Sequence, residues 1–170
     1  MKKIIFLLLA VVTLSFKTKA QTFHVPENYT LKEKADYSKY EDDVIKGIDW
    51  LQDTPWPLEE QKRMETNTFL MKWIQGSPTV SIEINGSVAK MTEKNPQLLM
   101  TFMGGYTKYA LQNKTAFDKS KANQAGVKAV IDKYVVETDH KNNSLLNKLA
   151  KIDKDGKLAD WMASDFNKIK

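Results

Sequence analysis

Leu98-Leu99-Met100-Thr101-Phe102-Met103-Gly104-Gly105-Tyr106-Thr107-Lys108-Tyr109-Ala110-Leu111 decides the fold. Leu99, Phe102, Met103, Tyr106 and Ala110 fall on one side of a helix, which Asn95-Pro96 opens as a cap followed by proline at the first helical position. Each interior glycine costs about 1 kcal/mol relative to alanine, so something must offset Gly104 and Gly105. Tight packing of another element on the backbone there is the commoner solution. The alternative is a kink that opens a pocket lined by Met100, Met103 and Tyr106.

Outward from this helix the same period recurs. Tyr40, Val44, Ile48 and Leu51 mark a helix from about Ser38 that ends before Asp53-Thr54-Pro55. A second helix is expected from Pro57, with Glu59 and Glu60 near its positive end. Met64, Phe69, Leu70, Met71, Trp73 and Ile74 form its apolar surface, and Gly76 and Pro78 stop it. Val88 to Lys94 reads as a short helix, Asn113 to Lys119 as a polar loop, and Ser120 to Glu137 as a long helix. Leu145, Leu146, Leu149 and Ile152 make another helix closed by Gly156, and Leu158, Trp161, Met162 and Phe166 a last one. Thr79-Val80-Ser81-Ile82-Glu83-Ile84 alternates strictly and is the one good strand signal. A lone strand is not stable, so it needs a partner such as Thr22–Val25, or it lies extended across the helices. Residues 21–35, with Pro26, read as an extended arm. The expectation is an all-α fold: a single domain over residues 36–170, of about six or seven helices, with a minor extended or β element near 79–84.

Met1-Lys2-Lys3, the apolar run Ile4–Leu14 and the small residues of Thr18-Lys19-Ala20 have the proportions of a cleaved secretory signal over residues 1–20. Eleven apolar residues rise about 16 Å against a hydrocarbon core of about 30 Å, too short for a membrane span. The expectation is export to the periplasm or medium, cleavage near Ala20-Gln21, and a mature chain with no transmembrane segment. The chain has no cysteine, so its stability must come from burial without disulfides.

The formal net charge of +5 owes four units to Lys2, Lys3, Lys17 and Lys19. That leaves 22 bases against 21 acids in residues 21–170. With Arg63 as the sole arginine, bidentate recognition of phosphates or guanine edges is disfavoured, and no nucleic-acid partner is expected. The charge is lopsided: residues 36–65 hold nine acids and four bases, and residues 98–170 hold eight acids and thirteen bases. The plain reading is that the two halves face each other or are solvated; the sharper one is an acidic patch for a basic partner. Four N-x-S/T triplets, at Asn28, Asn85, Asn113 and Asn142, would be glycan acceptors in a eukaryotic host; the lysine-rich, arginine-poor composition is that expected of an AT-rich bacterial genome, on which reading the triplets are chance in an asparagine-rich sequence.

Few residues carry chemistry. With only His24 and His140, and no cysteine, neither a metal site nor a cofactor site is expected. Asp153-Lys154-Asp155-Gly156 is like the middle of a calcium loop. Lys151 and Met162 stand at its first and last ligand positions, so a helix C-cap explains it better. Met100 and Met103 carry soft thioethers but sit among core residues. Trp56 lies in Thr54-Pro55-Trp56-Pro57, a rigid turn that either presents the indole for stacking or folds back as a plug on the first helices.

The segments I-D-W-L-Q-D-T-P (48–55), F-L-M-K-W-I-Q-G-S-P (69–78) and L-L-M-T-F-M-G-G-Y-T-K-Y-A-L (98–111) together resemble a group of small exported helical proteins of gram-negative bacteria, over about residues 36–135. The resemblance implies an address and a helical class and no catalytic positions. The functional expectation is a non-enzymatic exported protein that binds another protein or a small apolar ligand. Its surface would be Trp56 with the acidic first helices, or a pocket beside Gly104 and Gly105 with Met100, Met103 and Tyr106. The alternatives are a hydrolase of envelope material using Asp42, Asp43 and Glu59, and a structural envelope component.

Overall fold

The glycine pair of the central helix marks its closest contacts. In the computed structural model, which describes residues 23–169, α5 (Leu98–Gln112) crosses α6 (Lys119–Val136) at Gly105. A β-carbon on Gly105 would lie 2.7 Å from the Ala125 carbonyl oxygen, 2.8 Å from Ala129 Cβ and 3.0 Å from Gly126 Cα. One on Gly126 would lie 2.8 Å from the Phe102 ring. Gly104 faces α2 (Glu41–Asp53), where a β-carbon would meet Ile48 Cγ2 at 3.1 Å. Helix packed on helix therefore offsets the poor propensity of both glycines.

The remaining helices are α1 (Lys34–Lys39), α3 (Glu60–Gly76), α4 (Gly86–Thr92), α7 (Ser144–Lys154) and α8 (Leu158–Ser164), with one 3-10 turn at Lys114–Ala116. The described residues are all-α, with eight α-helices where the periodicity gave six or seven. The added element arises because Tyr40, at φ −106° and ψ 7°, separates α1 from α2. α3 starts three residues later than Pro57 predicts, because Glu59 sits in the left-handed region at φ 56°. The signal read over residues 1–20 lies outside the described residues. Of the arm read over 21–35, residues 23–33 are non-helical and lie on the core: Phe23 is buried, and Tyr29 meets the Phe69 ring edge-on at 5.0 Å.

The expected β element is a correction. Residues 79–84 are neither helix nor strand, and no strand occurs among the described residues. Val80 is buried, Ile82 is half-buried, and the Tyr106 hydroxyl donates to the Ser81 carbonyl at 2.9 Å. Alternation encodes one buried face; here Val80 and Ile82 pack on the helical core while Ile84, the third member, is exposed. Phe23, within the suggested partner segment Thr22–Val25, packs on Gly47 of α2.

Asparagines tie the loops. Asn95 does not cap α5; its buried amide grips Lys141, donating to the carbonyl at 2.8 Å and accepting from the N–H at 2.7 Å. Asn143 caps α7 and donates to the carbonyls of Lys90 and Met91. Asn85 caps α4 and donates to the Phe166 carbonyl. These amides satisfy backbone groups that no helix ladder can reach.

Candidate functional site

The Trp56 turn satisfies little of its own backbone. α2 ends at Asp53, two prolines remove donors, and the one backbone bond within the turn runs from the Leu58 N–H to the Pro55 carbonyl. Three charged side chains serve the rest. The Lys133 ammonium of α6 donates to Gln52 O at 3.0 Å, to Thr54 O at 2.7 Å and to Glu137 Oε1 at 2.6 Å, which uses all three of its protons. Glu137 accepts the Trp56 N–H at 3.1 Å. Arg63 Nη2 donates to the carbonyls of Pro55, Thr54 and Leu58 at 2.6, 3.0 and 3.3 Å.

This cluster is dry. Lys133 is 1% exposed and Glu137 4% exposed. Burial pushes the Lys133 ammonium below the usual lysine range, against the pull of Glu137. Burial likewise lowers Arg63, again opposed by Glu137. The Arg63 guanidinium lies 5.6 Å from the centroid of the Trp50 ring, and its buried Nε has no partner among the described residues. Trp56 itself is half-buried against the core, the geometry of a plug.

Arg63 also lines an open groove of about 520 Å³ between α3 and α5, whose apolar lining comes from Met64, Met71 and Met100. Residues 64, 67, 68 and 71 form one stripe of α3, beside the buried stripe of Thr66, Phe69, Leu70 and Trp73. Met64 therefore does not belong to the buried face expected of it; it is 58% exposed. Lys72 and Glu60 complete the rim.

The expected site residues divide among three places. Trp56 lies in the turn that Arg63 holds from α3, and Met100 lies in the adjoining groove. Met103 and Tyr106 are buried in the core, and Gly104 and Gly105 are spent on helix contacts. Another groove of about 300 Å³ runs past Gly105, between Asp49 of α2, Lys108 of α5 and Lys128 of α6. A larger one of about 870 Å³ lies between α6 and α7, with Val135 and Val136 exposed at its lip.

The candidate carboxylates do not converge. Asp42 and Asp43 open α2, whereas Glu59 follows its far end, ten residues or about 15 Å along the helix from Asp43 to Asp53. Paired glycosidase carboxyls lie about 5–10 Å apart. Among the described residues no group of three or more His, Cys, Asp or Glu is placed to hold a metal ion. Gly156, at φ 70°, ends α7 as a cap, with its N–H on the Asp153 carbonyl and the Lys157 N–H on that of Ile152. The acidic first helices do face the basic half: Lys108 pairs with Asp49 at 2.5 Å, and Lys114 pairs with Glu41.

No known protein family matches the chain, and neither a curated protein nor a solved structure matches it.

Proposed function

We propose that this is an exported, non-enzymatic binding protein whose α3–α5 groove takes an apolar small molecule ending in an anionic group. The observation that carries the reading is the groove itself: three methionines around an open space of about 520 Å³, within the range of small-ligand sites. Met64 is too exposed to be core, and thioether side chains adapt to irregular apolar ligands. Arg63 and Lys72 against Glu60 leave the rim net positive, which fits an anionic end. Arg63 is held in place from the turn side, so one end of the site is preorganised. Export rests on the sequence of residues 1–20, and no helix among the described residues is long and apolar enough to cross a membrane.

Calorimetric titration with decanoate and with decanol tests this. Binding of both is expected, with decanoate tighter. Met64→Gln should weaken both, and Lys72→Gln should weaken decanoate alone, by about three- to fivefold for a partly exposed charge. Absence of binding by either ligand at about 1 mM contradicts the reading.

A further inference from the structure

Sulfur chemistry in this chain belongs to methionine, because no cysteine is present. The methionines divide by exposure. Met91, Met103 and Met162 are 0%, 9% and 6% exposed and lie in the core. Met64 is 58% exposed, Met71 and Met100 are half-buried, and all three line the α3–α5 groove. Met64 and Met71 stand two turns apart on one stripe of α3, and Met100 comes across from α5. Among the described residues, the thioethers that solvent reaches therefore share one open space, and the remaining three are shielded from any dissolved reagent.

We propose that Met64, Met71 and Met100 form a reversible oxidation site for hydrogen peroxide and related two-electron oxidants, and that their oxidation switches off the groove's affinity for its ligand. In each step a thioether lone pair attacks one peroxide oxygen and the O–O bond breaks. The departing hydroxide takes the proton of the transferred hydroxyl. Sulfur thus gains an oxygen and loses two electrons, and peroxide is reduced to water. The sulfoxide is polar where the thioether was apolar, and its oxygen accepts hydrogen bonds. Asn67 and Lys72 supply donors in the same groove. An apolar ligand then meets a polar wall that it cannot satisfy, and its anionic end competes with sulfoxide oxygens for Lys72. Burial keeps the core methionines as thioethers, so the interior stays apolar. Reversal takes a methionine sulfoxide reductase and a dithiol, which becomes a disulfide as the sulfoxide oxygen leaves in water. The switch rests on the ligand-binding reading above, whereas the assignment of the oxidation site rests on exposure alone.

The test treats the folded protein with hydrogen peroxide, maps each methionine by mass spectrometry of its peptides over time, and measures decanoate binding by calorimetry before and after. Met64, Met71 and Met100 should oxidise at least about tenfold faster than Met91, Met103 and Met162, which react only through local opening. The oxidised protein, its fold checked by circular dichroism, should bind decanoate at least about tenfold more weakly. The two methionine sulfoxide reductases with dithiothreitol should restore the affinity. In a variant combining Met64→Leu, Met71→Leu and Met100→Leu, peroxide should leave unchanged whatever affinity the variant has. Oxidation spread evenly over groove and core methionines, or fastest in the core, overturns the oxidation site. Unchanged affinity after the groove is oxidised, or a leucine variant that loses affinity to peroxide as the wild type does, overturns the switch. Untreated protein that binds no decanoate contradicts the ligand reading and takes the switch with it, and the methionine map alone then decides the oxidation site.

Discussion

Replacing each of two adjacent glycines by alanine separates helix propensity from helix packing. Gly104→Ala and Gly105→Ala each gain up to about 1 kcal/mol of propensity in the interior of α5. Their new methyl groups meet different neighbours. At Gly104 the nearest atom is Ile48 Cγ2 at 3.1 Å, the end of a side chain that can shift by tenths of an ångström. At Gly105 the nearest atoms are the Ala125 carbonyl oxygen at 2.7 Å and Ala129 Cβ at 2.8 Å, which move only if α6 moves. Overpacking against backbone costs about 1–3 kcal/mol and more where the backbone cannot yield. Gly104→Ala is therefore expected within about 1 kcal/mol of wild type. Gly105→Ala should lose about 1–2 kcal/mol net, lowering the melting temperature by several degrees. Urea unfolding followed by circular dichroism reads both, as shifts in midpoint at constant slope. Equal stabilisation by the two alanines would refute close packing at Gly105.

Two further predictions concern buried groups. Lys133→Met leaves Glu137 buried without its cation and the Gln52 carbonyl without its donor, and should cost about 3–5 kcal/mol in urea unfolding. Lys133→Met combined with Glu137→Gln should recover part of that loss. Burial raises the Tyr106 phenol above the usual tyrosine range, so the folded state holds its proton longer than the unfolded chain. The contribution is complete below pH of about 10 and is lost as pH rises through the raised value. Tyr106→Phe should flatten that part of the alkaline stability curve, and absorbance titration of the wild type should show one tyrosine ionising late.

The helices were legible because their apolar residues repeat at three and four, as in Tyr40, Val44, Ile48 and Leu51. Local geometry hid the rest. The alternation of residues 79–84 holds for Val80, which is buried, and Ile82, which packs on the core, but not for exposed Ile84, and period two does not say whether a strand or a helix covers a face. Lys133 and Glu137 have the i, i+4 spacing of an ordinary surface pair and drew no attention, because the backbone carbonyl and N–H they serve come from residues about 80 positions earlier. Gly126, facing Phe102, lies between Ala125 and Val127, and nothing in that stretch announces the ring packed against it. The groove was missed on α3 because Thr66 is the polar member of the buried stripe. Met64 and Met71 were therefore assigned to the apolar face, when they belong to the stripe beside it. Of the residues singled out on α5, only Met100 reaches that groove, and it falls outside the apolar side that carries Met103.

The binding reading is tested most directly by following the methionine methyl groups by NMR in methyl-labelled protein during titration with decanoate. The account predicts saturable shifts at Met64, Met71 and Met100, with the buried methyls of Met91, Met103 and Met162 unmoved. Unchanged groove methyls, or shifts confined to the buried methionines, would contradict it.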